Sequence, residues 1–302
     1  MSNKIEGIAV PILTPINEVE EINHEQLAAL TDYVAEGGVN AIFVNGTTGE
    51  FARFSQKSRQ ELVSTVAKAA KGRVAVLAGV SECGTRLVIE NIKRAEEAGA
   101  DAIVTTMPYY FPTTSIREQI EFTEDVTAST KLPVLLYNIP PVTGYSLNEE
   151  LLDHVCDIDN LYGIKDSSGK AENFLKLKER YGEKLKILVG AEELNYFGLK
   201  NGADGLVPSL ANPFPKVLAA AWKASREGDW EACKKHCDLV DEMNKLNRFS
   251  DSWMSPNIWR KEALAQMGIM SAAFTKPYIP VSEDDKKKIA EWISYYKTNY
   301  GE

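Results

Sequence analysis

Two side chains of complementary chemistry stand at the ends of apolar runs 28 positions apart: Tyr137 after Val134-Leu135-Leu136, and Lys165 after Gly163-Ile164. A lysine held among apolar residues loses solvation, which favours the neutral amine able to attack a carbonyl carbon. The imine that results needs protons delivered and removed, and a phenol at a neighbouring position can relay them. A second feature is the turn Gly46-Thr47-Thr48-Gly49-Glu50. The Thr47 hydroxyl both donates and accepts, so it can link two phenols. The stretch from Gly46 to Gly49 can offer backbone N–H groups and hydroxyls to a carboxylate. Each feature has an ordinary alternative: Lys165 can pair with Asp166 or another carboxylate, strand-end tyrosines often cap cores, and Gly-Thr turns are common. Their joint placement is what points to imine chemistry.

The absent groups narrow the chemistry. His24, His154 and His236 all fall in helix-like stretches, so the commonest metal ligand is missing from the places where Lys165 and Tyr137 stand. Cys233, His236 and Cys237 follow Trp230-Glu231-Ala232 in one such stretch and read as helix residues rather than a metal site. Neither metal nor organic cofactor is expected. Gly190-Ala191-Glu192-Glu193 carries carboxylates where many barrels build a glycine-rich phosphate grip.

These groups need a rigid frame. Apolar, β-branched runs at 8–13, 41–44, 74–78, 102–106, 133–137, 162–164, 186–189 and 205–207 predict eight strands. Amphipathic stretches between them predict helices, closed by glycines such as Gly99 and Gly202 and capped by Ser55 and Ser146. Strands apolar on both faces and separated by single helices run parallel. The first strand is followed by Leu13-Thr14-Pro15, with no glycine-rich loop of the kind a doubly wound sheet offers there. The expected class is therefore α/β, a (β/α)8 TIM barrel with a C-terminal helical appendage, in which chemistry sits at the C-terminal ends of the strands. The barrel is expected over residues 1–228. Residues 229–302 lack strand signals and should pack on it as helices.

Composition agrees with an ordinary globular chain: of 302 residues, 44% are hydrophobic and 25% charged. A net charge of −9 argues against nucleic acid as a partner. Met1 to Glu6 shows no charged-then-apolar leader and no apolar run reaches membrane-spanning length, so a cytoplasmic location without membrane association is expected. Four cysteines are too few for a disulfide framework in a chain of this length.

On Gly46-Thr47-Thr48-Gly49-Glu50, Tyr137-Asn138-Ile139-Pro140 and Gly163-Ile164-Lys165-Asp166, the sequence resembles the dihydrodipicolinate synthase and N-acetylneuraminate lyase family of Schiff-base, pyruvate-handling barrels. The resemblance extends over essentially the whole chain. It implies that Lys165 forms the imine with pyruvate or another 2-oxo acid, Tyr137 relays protons, and Thr47 and Thr48 hold the carboxylate. Gly46 and Gly190 belong with the substrate-binding positions. Tyr110 matches a tyrosine that reaches into a neighbouring subunit's site, and a homotetramer built as a dimer of dimers is implied.

Synthases of this family place an arginine after the catalytic tyrosine, where Pro140-Pro141-Val142-Thr143-Gly144 has Val142. An aliphatic side chain cannot replace a bidentate guanidinium. Glu192, Glu193 and Ser209 align with residues that sialic acid lyases use near substrate hydroxyls. Either glutamate can instead simply open the next helix, where the dipole favours negative charge. The expected activity is therefore cleavage of a 2-oxo-3-deoxy sugar acid, or a sialic-acid-like substrate, to pyruvate and an aldehyde. Condensation of pyruvate with aspartate semialdehyde by a 4-hydroxy-tetrahydrodipicolinate synthase, sugar-acid dehydration, and a pyruvate-binding scaffold without turnover are the alternatives.

Overall fold

A computed structural model describes residues 5–248 and 254–301. Eight parallel strands close into a barrel in sequence order. They are β1 (Gly7–Pro11), β2 (Ala41–Val44), β3 (Ala75–Gly79), β4 (Ala102–Thr105), β5 (Val134–Asn138), β6 (Leu161–Asp166), β7 (Lys186–Val189) and β8 (Gly205–Leu206). The helices that return the chain are α1 (His24–Glu36), α2 (Gln56–Ala70), α3 (Thr85–Glu97), α4 (Ile116–Ala128), the single turn α5 (Pro140–Thr143), α6 (Glu149–Val155), α7 (Ala171–Tyr181), α8 (Asn195–Lys200) and α9 (Pro215–Glu227). Then follow α10 (Trp230–Met243), α11 (Ser255–Gln266) and α12 (Glu283–Tyr300), with no strand between them among the described residues.

The two-residue period of each strand sorts its side chains into two cores. In β2, Ala41 and Phe43 point into the lumen, whereas Ile42 and Val44 pack outward under the helices. Both faces are buried, which is why the strands read as continuous apolar runs rather than alternating ones. Alanines fill the lumen at the N-terminal ends of β2, β3 and β4, where Ala41, Ala75 and Ala102 sit. Phe43, Leu77 and Val104 fill it two residues further on. Each such Leu, Val or Phe taken from water stabilises the barrel by about 1.5–3 kcal/mol, so the lumen is a plug on which reactive groups can be mounted.

β6 runs two residues beyond its predicted end and includes Lys165 and Asp166. Its register with β5, shifted by an irregularity between Val134 and Leu135, sets Tyr137 opposite Lys165 and Asn138 opposite Asp166. Ser55 caps α2 as expected, accepting from the Ser58 amide. Ser146 does not cap α6: Asn148 takes that place, its side chain accepting from the Leu151 amide, because the helix starts two residues later than a Ser146 cap requires.

The C-terminal helices share the barrel's outer core. Val240, Met243, Trp259 and Leu264 belong to the same apolar cluster as Ile42 and Val76, and α10 packs on α9. Cys233 and Cys237 are buried on the inner face of α10, while the His236 ring lies 2.8 Å from the Tyr300 hydroxyl. Among the described residues no helix is long and apolar enough to cross a membrane.

Candidate active site

Lys165 is 5% exposed at the C-terminal mouth of the barrel. Its Nζ lies 3.9 Å from the centre of the Tyr137 ring and 4.9 Å from that of Phe43. Among the described residues no carboxylate pairs with it. Asp166, the expected rival partner, is turned away: it accepts from Asn138 Nδ2 at 2.6 Å and from Ser168 Oγ at 2.9 Å. Asn138 in turn accepts from the Leu147 amide. The pair thus ties β5 to β6 and turns the Asp166 carboxylate away from the amine.

Lys165 and Tyr137 open into a cavity of about 680 Å³ that also takes in Thr47, Thr48, Gly190, Glu192, Glu193 and Ser209. Eight of the ten residues singled out from the sequence therefore meet in one place. Among the described residues no hydrogen bond joins Thr47 to Tyr137, so the linkage expected between these hydroxyls is not made within one chain. The other two lie outside this cavity. Gly46 lies instead on an adjoining recess of about 260 Å³ behind Tyr137, with Tyr109 and Val142. Its lack of a side chain serves packing, since a Cβ there would come within 2.8 Å of the Phe43 ring. Tyr110 is 74% exposed, its ring edge-on to Phe111 at 5.0 Å, outside both cavities. Within a single chain it does not reach Lys165.

Glu192 opens a short 3-10 turn ahead of α8, yet its side chain is not a loose helix-start carboxylate. It accepts from Ser209 Oγ at 2.6 Å and the Leu210 amide at 3.1 Å through one oxygen, and from Asn244 Nδ2 at 2.8 Å and Arg260 at 3.0 Å through the other. Burial opposes its charge, but the Arg260 guanidinium and these donors outweigh it and hold the carboxyl below the usual glutamate range. Its lone pairs are largely used by the protein, which leaves little acceptor capacity for substrate hydroxyls. Nearby Asp241 is pushed up by burial and by the charges of Asp238, Glu192 and Glu193.

Several lining residues lay outside the sequence reading. Ser167 faces the cavity with a buried Oγ that has no hydrogen-bond partner among the described residues. Its position two residues after Lys165 was a signal, because the strand period returns it to the same side. Asn244, Arg248, Asn257 and Arg260 reach the cavity from the C-terminal helices. No local pattern marks them, since only the docking of that layer brings them over the barrel mouth.

The turn bearing Thr47 and Thr48 is bounded by two non-glycine residues in left-handed conformation, Asn45 at φ 57° and Glu50 at φ 59°. Both are buried and anchored. Asn45 Nδ2 donates to Arg59 O at 3.0 Å, and Glu50 accepts from Lys261 Nζ at 2.7 Å.

Residues 4–295 match the Dihydrodipicolinate synthetase family. The chain is 31% identical over 293 residues to a 4-hydroxy-tetrahydrodipicolinate synthase of Sorangium cellulosum, covering 95% of this chain and 94% of that protein. A similar relative from Psychrobacter sp. is 29% identical, with 93% and 91% covered. Among solved structures, YagE of E. coli K12, a prophage protein of the dihydrodipicolinic acid synthase family in complex with pyruvate, superposes with a TM-score of 0.89 at 27% identity, over 97% of this chain and 98% of that one. With the barrel, the strand-end lysine and the match over nearly its full length, this chain belongs to the dihydrodipicolinate synthetase family, whose members are lyases that work through a lysine Schiff base.

Proposed function

We propose that the chain is a pyruvate aldolase that reversibly cleaves a 2-oxo-3-deoxy sugar acid to pyruvate and a hydroxylated aldehyde. The observation that carries this reading is the Lys165 amine, buried over the Tyr137 ring with no carboxylate partner among the described residues, at the floor of a cavity far larger than pyruvate needs.

In this mechanism Lys165 Nζ adds to the C2 ketone of the substrate. Tyr137 protonates the resulting hydroxyl, which leaves as water, giving an iminium and a phenolate. The phenolate takes the proton of the C4 hydroxyl, the C3–C4 bond breaks, and its electron pair passes into the iminium to form an enamine as the aldehyde departs. Tyr137 returns the proton to C3. Water then adds to the iminium carbon and gives its proton to the phenolate, so pyruvate and the free amine are released. Thr47 and Thr48 hold the carboxylate next to C2, and the Ser167 hydroxyl, without a partner among the described residues, supplies a hydrogen bond to the substrate. Tyr110, exposed in one chain, would complete the relay from a second copy within a tetramer.

Synthase activity is the second reading, favoured by the names of the relatives at about 30% identity. Val142 weighs against it, since it sets an aliphatic, 43% exposed side chain where the resemblance implies an arginine for the second carboxylate. Borohydride reduction in the presence of pyruvate should add the pyruvyl mass at Lys165 and nowhere in Lys165→Ala. A panel of 2-oxo-3-deoxy acids read out as pyruvate should then show turnover. Activity surviving Lys165→Ala sinks the imine, and consumption of aspartate semialdehyde with a flat sugar-acid panel transfers the assignment to the synthase.

A further inference from the structure

The side chains of Glu50 and Lys261 are both 0% exposed and form an ion pair between the catalytic turn and α11. Lys261 Nζ also donates to Ala273 O at 2.9 Å and lies 4.3 Å from the centre of the Phe274 ring. The second oxygen of Glu50 accepts from the hydroxyl and amide of Thr275. One residue before the ion pair's carboxylate, Gly49 O accepts from Thr14 Oγ1 at 2.7 Å, and Asn257 of α11 donates to Thr48 O at 3.5 Å. Buried ion pairs add little stability over apolar residues of the same shape; what they can supply is direction. Here the direction is applied to a turn whose ends occupy backbone conformations that persist only where the surroundings fix them.

We infer that the Glu50–Lys261 pair is a positioning device, by which the C-terminal helical layer holds the Asn45–Glu50 turn so that Thr47 and Thr48 present their hydroxyls and amides to the 2-oxo acid carboxylate. The pair touches no reacting atom. It acts through the turn, and its effect falls on carboxylate binding before it falls on bond breaking. The role assigned to Thr47 and Thr48 rests on the proposed aldolase reading; the rigidity of the turn does not.

Two variants and two readouts test it. Glu50→Gln keeps shape and most hydrogen bonds while removing charge, and Lys261→Met removes the cation at similar length. Hydrogen exchange followed by mass spectrometry should show amides of residues 46–50 exchanging at least tenfold faster in either variant, with barrel strands β3 and β4 unchanged. The pyruvate concentration for half-maximal borohydride trapping should rise at least tenfold, with a much smaller change in the trapping rate at saturation, and the double variant should be no worse than Lys261→Met alone. A merely structural pair would lower the folded fraction and leave half-saturation in the folded molecules untouched; that result, or unchanged exchange at 46–50, overturns the proposal. If Lys261→Met does not fold, Glu50→Gln decides. If the unaltered protein traps no pyruvate, the aldolase reading fails, and the positioning role is judged on exchange alone.

Discussion

Replacing Gly190 with alanine perturbs Lys165 Nζ, the nucleophile of the proposed reaction, by a route that can be worked from distances. A Cβ at Gly190 would stand 2.1 Å from Ser167 Oγ and 2.8 Å from Lys165 Cε. The serine hydroxyl can rotate to another staggered position. The lysine stem has less freedom, since its end is confined over the Tyr137 and Phe43 rings. Carbon atoms rest about 3.5–4.0 Å apart, so Cε must retreat by roughly 1 Å, carrying Nζ with it. A displacement of that size at a reacting centre lowers rates about 10²-fold, whereas the overpacking should cost only about 1–3 kcal/mol of stability. The assay is rapid-quench borohydride trapping with pyruvate, compared with thermal unfolding of the same preparation. Gly190→Ala combined with Ser167→Gly removes the closer clash and should restore little of the rate. Wild-type trapping by Gly190→Ala, or full restoration in the double variant, would refute the reasoning that Lys165 is the constrained partner.

Arg260→Met should destabilise the fold by about 3–5 kcal/mol, because it strands the buried Glu192 charge; adding Glu192→Gln should recover part of that loss in denaturant melts. Since Glu192 binds its proton more weakly folded than unfolded, its contribution is complete above the ordinary glutamate value of 4.5 and disappears as pH falls through the lower folded value. Tryptophan emission from Trp259 should report loosening of the C-terminal layer in that acid range, and Glu192→Gln should flatten the transition. Asn138→Ala leaves Asp166 without its 2.6 Å donor and the Leu147 amide without an acceptor, a loss of about 1–3 kcal/mol per stranded group in chemical denaturation.

The barrel and the meeting of Lys165 with Tyr137 were legible because local rules govern them. Strands buried on both faces leave continuous apolar runs, and a polar residue ending such a run, as Lys165 does, stands out against them. The turn from Gly46 to Glu50 also lies within a single connected segment, whereas the bond from Asn138 to Asp166 joins neighbouring strands and was not read from the sequence. Arg260 and Asn244 were not legible as partners of Glu192, because they come from helices 68 and 52 positions away. The hydroxyl recognition assigned to Glu192 by resemblance is weakened for the same reason: nothing adjacent in sequence shows that four donors from the protein already occupy it. Tyr110 is a different case. Its side chain points into solvent, and what it does depends on contacts beyond a single chain. Glu50 was read as part of a turn, while its partner Lys261 is 211 positions distant.

The cavity is assembled from two layers of the chain, the strand ends of the barrel and the helices that follow it. Lys165, Tyr137 and Ser167 stand on β5 and β6 or just past them, whereas Asn244, Arg248, Asn257 and Arg260 descend from the helices that follow the barrel. A combinatorial library confined to Asn244, Arg248 and Asn257 would therefore vary one wall of the cavity while leaving Lys165, Tyr137 and Ser167 untouched.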